Sequence, residues 1–129
     1  MGQTIAVVNI ERGMPSIDVA RQRLIAAIDG HRCAGTSVLK IIHGYGSSGA
    51  GGKLRVALRK SLNRRRSESK VARIIYGERW SIFDPETQKL LSDYPDLDRD
   101  GDLDRYNQGI TIVELCEDQR QSGQNHREQ

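Results

Sequence analysis

The chain has 129 residues and a formal charge of +3, with 36% hydrophobic and 29% charged residues and only one Trp and one Phe. That length suits one domain with a core of Val, Ile, Leu and Ala behind a charged surface, and no apolar run approaches the roughly 20 residues that a bilayer span requires. The start MGQTIAVVNIERG lacks the pattern of a signal peptide and carries Ala6 where myristoylation wants Ser or Thr, and Cys33 and Cys116 have no close-spaced partner, so a cytoplasmic protein without a disulfide framework is expected.

TIAVVNI is a short β-branched run that predicts a buried first strand. In the following MPSIDVARQRLIAAIDGHRCAG, Ile17, Ala20, Leu24, Ala27 and Ile28 recur at helical spacing. Ser16 is placed to cap that helix and Gly35 to end it in a left-handed turn. SVLKIIH predicts a second strand, apolar enough for the middle of a sheet. A glycine-rich stretch follows, and then a helix from about 52 to 65 with Leu54, Ala57, Leu58 and Leu62 on one face and Arg55, Arg59, Lys60 and Arg66 on others. SKVARIIYG predicts a third strand, ERWSIF a short strand or ordered loop, and DPETQKLLSDYP a helix closed by Pro95. QGITIVELC predicts the last strand. The expected organisation is a domain over 1–116 and a disordered polar tail over 117–129. The order β-α-β-α-β-(α)-β implies an α/β fold with a mixed sheet, in which ligands gather beyond the carboxyl ends of the strands.

Charge is segregated along the chain. Residues 53–73 hold nine basic side chains against one acid, a balance of +8, whereas residues 84–118 hold eleven acids against three bases, a balance of −8. A block of positive potential beside a glycine loop points to an anionic partner, unless the two blocks neutralise each other within the fold.

The stretch IIHGYGSSGAGGKLR carries five glycines and two serines between an apolar run and a basic helix start. GYGSSG satisfies GxGxxG, yet Gly49, Gly51 and Gly52 would lie in the helix's first turns and the acid expected about 20 residues on is missing, which argues against a dinucleotide turn. A P-loop fails because Leu54 stands where GK[ST] requires Ser or Thr. What remains is an anion cradle. Backbone N–H groups of Gly44, Tyr45, Gly46, Ser47, Ser48, Gly49, Gly51 and Gly52 can turn toward phosphate, with Lys53, Arg55 and Arg59 adding charge at a helix start. His43 at the rim is a candidate general acid or base, and Tyr45 a candidate for stacking on an unpaired base. His31 and His126 lie elsewhere, and no metal site is predicted from the three histidines.

These residues, in this order, resemble the Smr domain, the small MutS-related module. VVNIERGMPSIDVARQRLIAAI is similar to its first strand and helix, LKIIHGYGSSGAGGKLRVALRKSL to its HGxG or TGxG loop and second helix, and GITIVEL to its closing strand. The resemblance implies a two-layer α/β sandwich with a four-stranded mixed sheet, similar to the C-terminal domain of translation initiation factor 3. It also implies binding of branched DNA or structured RNA, and in some members nicking or endonuclease activity. The family's LDLHG motif is degenerate here: Asn9 replaces the aspartate and Glu11 stands near the histidine's place, with one residue added before Gly13. Catalysis, if present, therefore falls to His43 and Glu11. No cofactor is expected beyond a divalent metal in the nuclease case.

DLDRDGDLDRYN invites a calcium reading, but Asn107 occupies the position of the bidentate Glu and a strand follows where a helix should begin. A solvated acidic connection is expected instead. An alternative function is a non-catalytic adaptor that meets a basic protein partner through the acidic segment 84–104.

Overall fold

The computed structural model of the chain describes residues 4–44 and 52–117. Its elements in order are β1 (Ile5–Asn9), α1 (Ile17–Ala34), β2 (Val38–Ile42), α2 (Lys53–Ser67), β3 (Val71–Tyr76), a 3-10 turn (Gly77–Arg79), α3 (Pro85–Asp93), a second 3-10 turn (Pro95–Arg99) and β4 (Ile110–Leu115). The helix signals act where the sequence places them. Ser16 accepts a hydrogen bond from the Val19 N–H, and Gly35, at φ 84°, returns its N–H to Arg32. Asp84 caps α3 by accepting from the Thr87 N–H at 3.0 Å, with Pro85 in the first turn.

The four strands form one mixed sheet in the order β1-β2-β4-β3, with β1 parallel to β2 and β4 antiparallel to both its neighbours. The predicted buried first strand is corrected here. β1 lies at the sheet's edge: Ala6 and Val8 pack partly against one core and Ile5 against the other, none of its residues is fully buried, and Val7 is 61% exposed. β2 and β4 are the central strands, and their alternate residues feed two cores.

One core lies between the sheet and α1 with α2, where Leu24, Ile28, Leu58 and Leu62 meet Leu39, Ile41, Val113 and Leu115. This is the expected sandwich of helices on sheet. The opposite face is covered as well: Trp80, Leu90 and Leu97 pack against Val38, Ile75, Ile110 and Ile112. ERWSIF is thus an ordered turn that buries Trp80 completely. Tyr94 fastens α3 to β4 by donating to Glu114 at 2.8 Å. Burial and this acceptor push the phenol up to about 12.

Lys40 breaks the apolar run of β2. Its ammonium lies beneath the acidic connection, donating to Asp100 at 2.7 Å and to Asp102 at 2.5 Å, with the side chain 12% exposed. Burial alone would lower its pKa, and the two carboxylates outweigh that and raise it. Asp100 also accepts from the Trp80 indole N–H at 3.0 Å, and Asp104 from the Ile82 N–H at 2.9 Å. The acidic connection, expected to be solvated, is therefore folded around an internal cation, while Arg64 and Arg65 pair with Glu68 on their own helix end. The two charge blocks meet mainly at Arg73, which pairs with Asp93 at 2.6 Å and Glu114 at 3.0 Å.

Candidate nucleic-acid interface

Because β1, β2 and β3 all run the same way, their carboxyl ends share one edge of the sheet with the start of β4. That edge gathers Glu11, His43, Gly44, Gly77 with Glu78, and Gly109. Ile10 continues the β1–β2 pairing by donating to the Ile42 carbonyl at 2.9 Å, which brings Glu11 beside the end of β2. The turn holding Glu11 is braced from α1, where the Arg23 guanidinium donates to the carbonyls of Ile10 at 3.2 Å and Arg12 at 2.6 Å. Asn9 accepts from the Glu11 N–H at 2.9 Å.

His43 is 2% exposed. Its Nδ1 lies 2.9 Å from the Gly44 carbonyl and its Nε2 lies 3.0 Å from the Thr111 hydroxyl. A carbonyl can only accept, so Nδ1 carries the proton and Nε2 accepts from Thr111. The Gly109 carbonyl receives two donors, His43 N–H at 2.9 Å and Gly44 N–H at 3.0 Å, which pins the end of β2 to the start of β4. Gly44 sits at φ 72° with the Glu11 carboxylate where a Cβ would stand, so the two candidate catalytic residues are neighbours across this glycine. Both ring nitrogens of His43 are engaged within the protein. As placed, the imidazole organises the site rather than facing solvent.

Burial lowers the pKa of His43 below its ordinary value, the Gly44 carbonyl opposes this, and the cations of Arg59 and Arg55 add to the lowering. The unfolded chain takes up this proton near pH 6.5, whereas the folded chain resists it. The stability is therefore full above that pH and is lost as pH falls toward the folded value. Urea unfolding at pH 7.5 and pH 5 should show a steeper loss for the wild type than for His43→Asn, and equal losses would refute this assignment.

Of the predicted cradle, Tyr45, Gly46, Ser47, Ser48, Gly49 and Gly51 lie outside the described residues. The structure places the flanks. α2 begins after Gly52, which offers no side-chain cap, and has no acid in its first turn, so among the described residues nothing in that turn offsets the positive end of its dipole. Lys53 is exposed at this end. With Arg21, Gly52, Val56, Ala57 and Lys60 it lines a shallow groove of about 540 Å³ between α1 and α2. Arg55 donates to the Gln108 side chain at 2.7 Å. Arg59 is engaged inward, donating to both Glu78 oxygens at 2.6 and 2.8 Å and lying 3.9 Å over the Tyr76 ring. Sequence reasoning missed Arg21, Thr111, Gln108 and Gly109. Three of these sit in or beside the last strand, far along the chain from the loop they serve.

Among the described residues no three His, Cys, Asp or Glu side chains are grouped to hold a metal ion. Glu11 and His43 supply one carboxylate and a ring whose nitrogens are already bonded, so by themselves these two do not fit a divalent cation. Among the described residues, no helix is long and apolar enough to cross a membrane.

No curated protein matches the chain. Its fold is similar to the crystal structure of the Smr domain of Thermus thermophilus MutS2, with a TM-score of 0.52 at 23% identity over 85% of this chain and 96% of that one. Residues 12–79, which run from the turn beside Glu11 through α1, β2 and α2 to the end of the first 3-10 turn, match the Smr domain, and the chain belongs to that family.

Proposed function

We propose that this chain binds nucleic acid, branched DNA or structured RNA, by gripping phosphates with the loop 43–52 and the opening of α2. The observation that carries the reading is the start of α2, which has no side-chain cap from Gly52 and no acid in its first turn, with exposed Lys53 opening the helix and Arg55 in the same turn. A helix start of this kind attracts oxyanions, and lysine and arginine at its mouth add charge that salt screens. Family membership supports the same partner. Arg59 contributes indirectly, by holding Glu78 and thereby masking an acid that would otherwise face the site.

Binding to a labelled three-way junction should weaken with rising salt, and Lys53→Glu with Arg55→Glu should reduce affinity at least about tenfold while flattening the salt slope. Affinity that ignores salt, or that survives both charge reversals, would overturn the proposal.

A nicking activity is favoured by one feature, the Glu11 carboxylate held against Gly44 next to His43. In this reading Glu11, which is exposed, is the group that meets a proton at the scissile phosphate, and His43 fixes the backbone that presents it. Cleavage of labelled junction with Mg²⁺ or Mn²⁺, abolished by Glu11→Gln with binding retained, is the expected result. The adaptor alternative would rest on the exposed Glu86, Asp96 and Asp98, whereas Asp84, Asp93, Asp100, Asp102 and Asp104 make bonds within the fold.

A further inference from the structure

The connection from 104 to 109 presents a tyrosine that neither core uses. Tyr106 is 60% exposed, and both it and Asp104 hold left-handed backbone at φ 55° and 67°, a conformation that side chains other than glycine rarely adopt. Such a conformation persists only where the surroundings impose it. Here they do. Asp104 is tied on both sides, its N–H donating to the Trp80 carbonyl and its carboxylate accepting from Ile82, both at 2.9 Å. Asn107 donates to Asp102 at 2.9 Å and accepts from the Gly109 N–H at 2.8 Å. Gln108 accepts from Arg55, and the Gly109 carbonyl receives the N–H groups of His43 and Gly44.

Tyr106 is thus an exposed ring on a rigid mount, three residues from the atom that anchors the candidate phosphate loop. An isolated exposed tyrosine needs no explanation. This one differs because the strained backbone and the bonds on either side fix its position against Arg55 and Gly44. Part of the acidity of this connection is neutralised internally, and one cation stands beside the ring. Asp100 and Asp102 turn toward Lys40, and Arg105, exposed, stands next to the ring in sequence. A second exposed ring, Phe83 at 79%, follows Ile82 on the turn that Asp104 fastens.

We propose that Tyr106 stacks on an unpaired nucleobase of the bound nucleic acid, so that the site prefers substrates with a splayed base over continuous duplex. The inference rests on the nucleic-acid reading above and adds the feature of the substrate that is recognised. A base can stack on any aromatic face, so the contact selects unpaired structure and not sequence. Phosphates on α2 set the position of the strand, and the ring captures the base that leaves the helix.

The test compares a duplex with the same duplex carrying a single-stranded flap, with 2-aminopurine at the first unpaired position. Wild type should bind the flap more tightly and change the probe's fluorescence. Tyr106→Ala should lose about 5- to 100-fold in flap affinity with duplex affinity unchanged and the fluorescence change abolished, while Tyr106→Phe should restore both. An exposed side chain can be removed without loss of the fold, and thermal melts of the variants should coincide with the wild type. If wild type binds both substrates and Tyr106→Ala leaves the flap preference intact, or weakens both equally, the stacking role is overturned and phosphate binding stands. If wild type binds neither substrate, the nucleic-acid reading falls and the stacking role with it.

Discussion

Lys40→Met should destabilise the folded chain by about 3–5 kcal/mol, the cost of leaving two carboxylates in a partly buried site without their cation. Asp100 and Asp102 are 15% and 28% exposed and both bond the Lys40 ammonium. Removing the lysine takes from both carboxylates the cation they share. The effect carries a pH signature. In the wild type, the bonds from Asn107 and Lys40 hold the Asp102 carboxyl below its ordinary range, so its contribution is full above about pH 4 and is lost as pH falls through the folded value. In the variant the carboxyls are destabilised as anions and accept protons more readily. The gap between the two proteins should therefore narrow on acidification below about pH 5. Urea midpoints at pH 7 and pH 4 measure both effects, and a gap independent of pH would show that lost packing, not stranded charge, is responsible. Adding Asp100→Asn and Asp102→Asn to Lys40→Met should recover much of the loss at pH 7, because neutral groups of similar shape need no cation.

Gly77→Ala should cost stability at the upper end of the roughly 1–3 kcal/mol typical of overpacking. A Cβ on Gly77 would fall against the carbonyl oxygens of Asn107 and Ile110, which are backbone and cannot swing aside. Yielding there displaces the start of β4 and with it the Gly109 carbonyl that holds His43 and Gly44. The same substitution should therefore weaken nucleic-acid binding even though Gly77 touches no ligand. Gly101→Ala is the control. Nothing lies within 4 Å of its Cβ position, and its stability should stay within about 0.5 kcal/mol of the wild type. Similar losses from both glycines, measured by urea unfolding, would remove the steric explanation.

Local chemistry made much of the fold readable. Ser16 and Gly35 bound α1 because capping and left-handed turns depend on the residue itself, and Asp84 with Pro85 marks the start of α3 for the same reason. What escaped depends on partners remote in sequence. TIAVVNI looks buried by composition, yet strand order puts it at the edge. Trp80 lay in a segment read as a strand or loop, and only the second core shows why a tryptophan stands there. Lys40 was the clearest unread signal, since a lysine inside an apolar strand asks for an acid, and DLDRDGDLD supplies two. At the site, the resemblance named Glu11 and His43 as candidates by position in the motif, and the structure sets the Glu11 carboxylate against Gly44, next to His43. The burial of His43 was not, because its Nε2 partner Thr111 lies 68 positions away.

The position of β4 between β2 and β3 bears on how the protein emerges from the ribosome. Until residues 110–115 are synthesised, the nascent polypeptide holds two halves with no shared ladder and two unpaired strand flanks, β2 and β3, both prone to pairing with other chains. The closing strand is also the one that supplies Thr111 beneath the histidine, and Gly109 just before it pins the loop. Assembly of the sheet and appearance of the proposed ligand-binding edge are thus the same late event, and a ribosome stalled before residue 110 would hold a chain with neither.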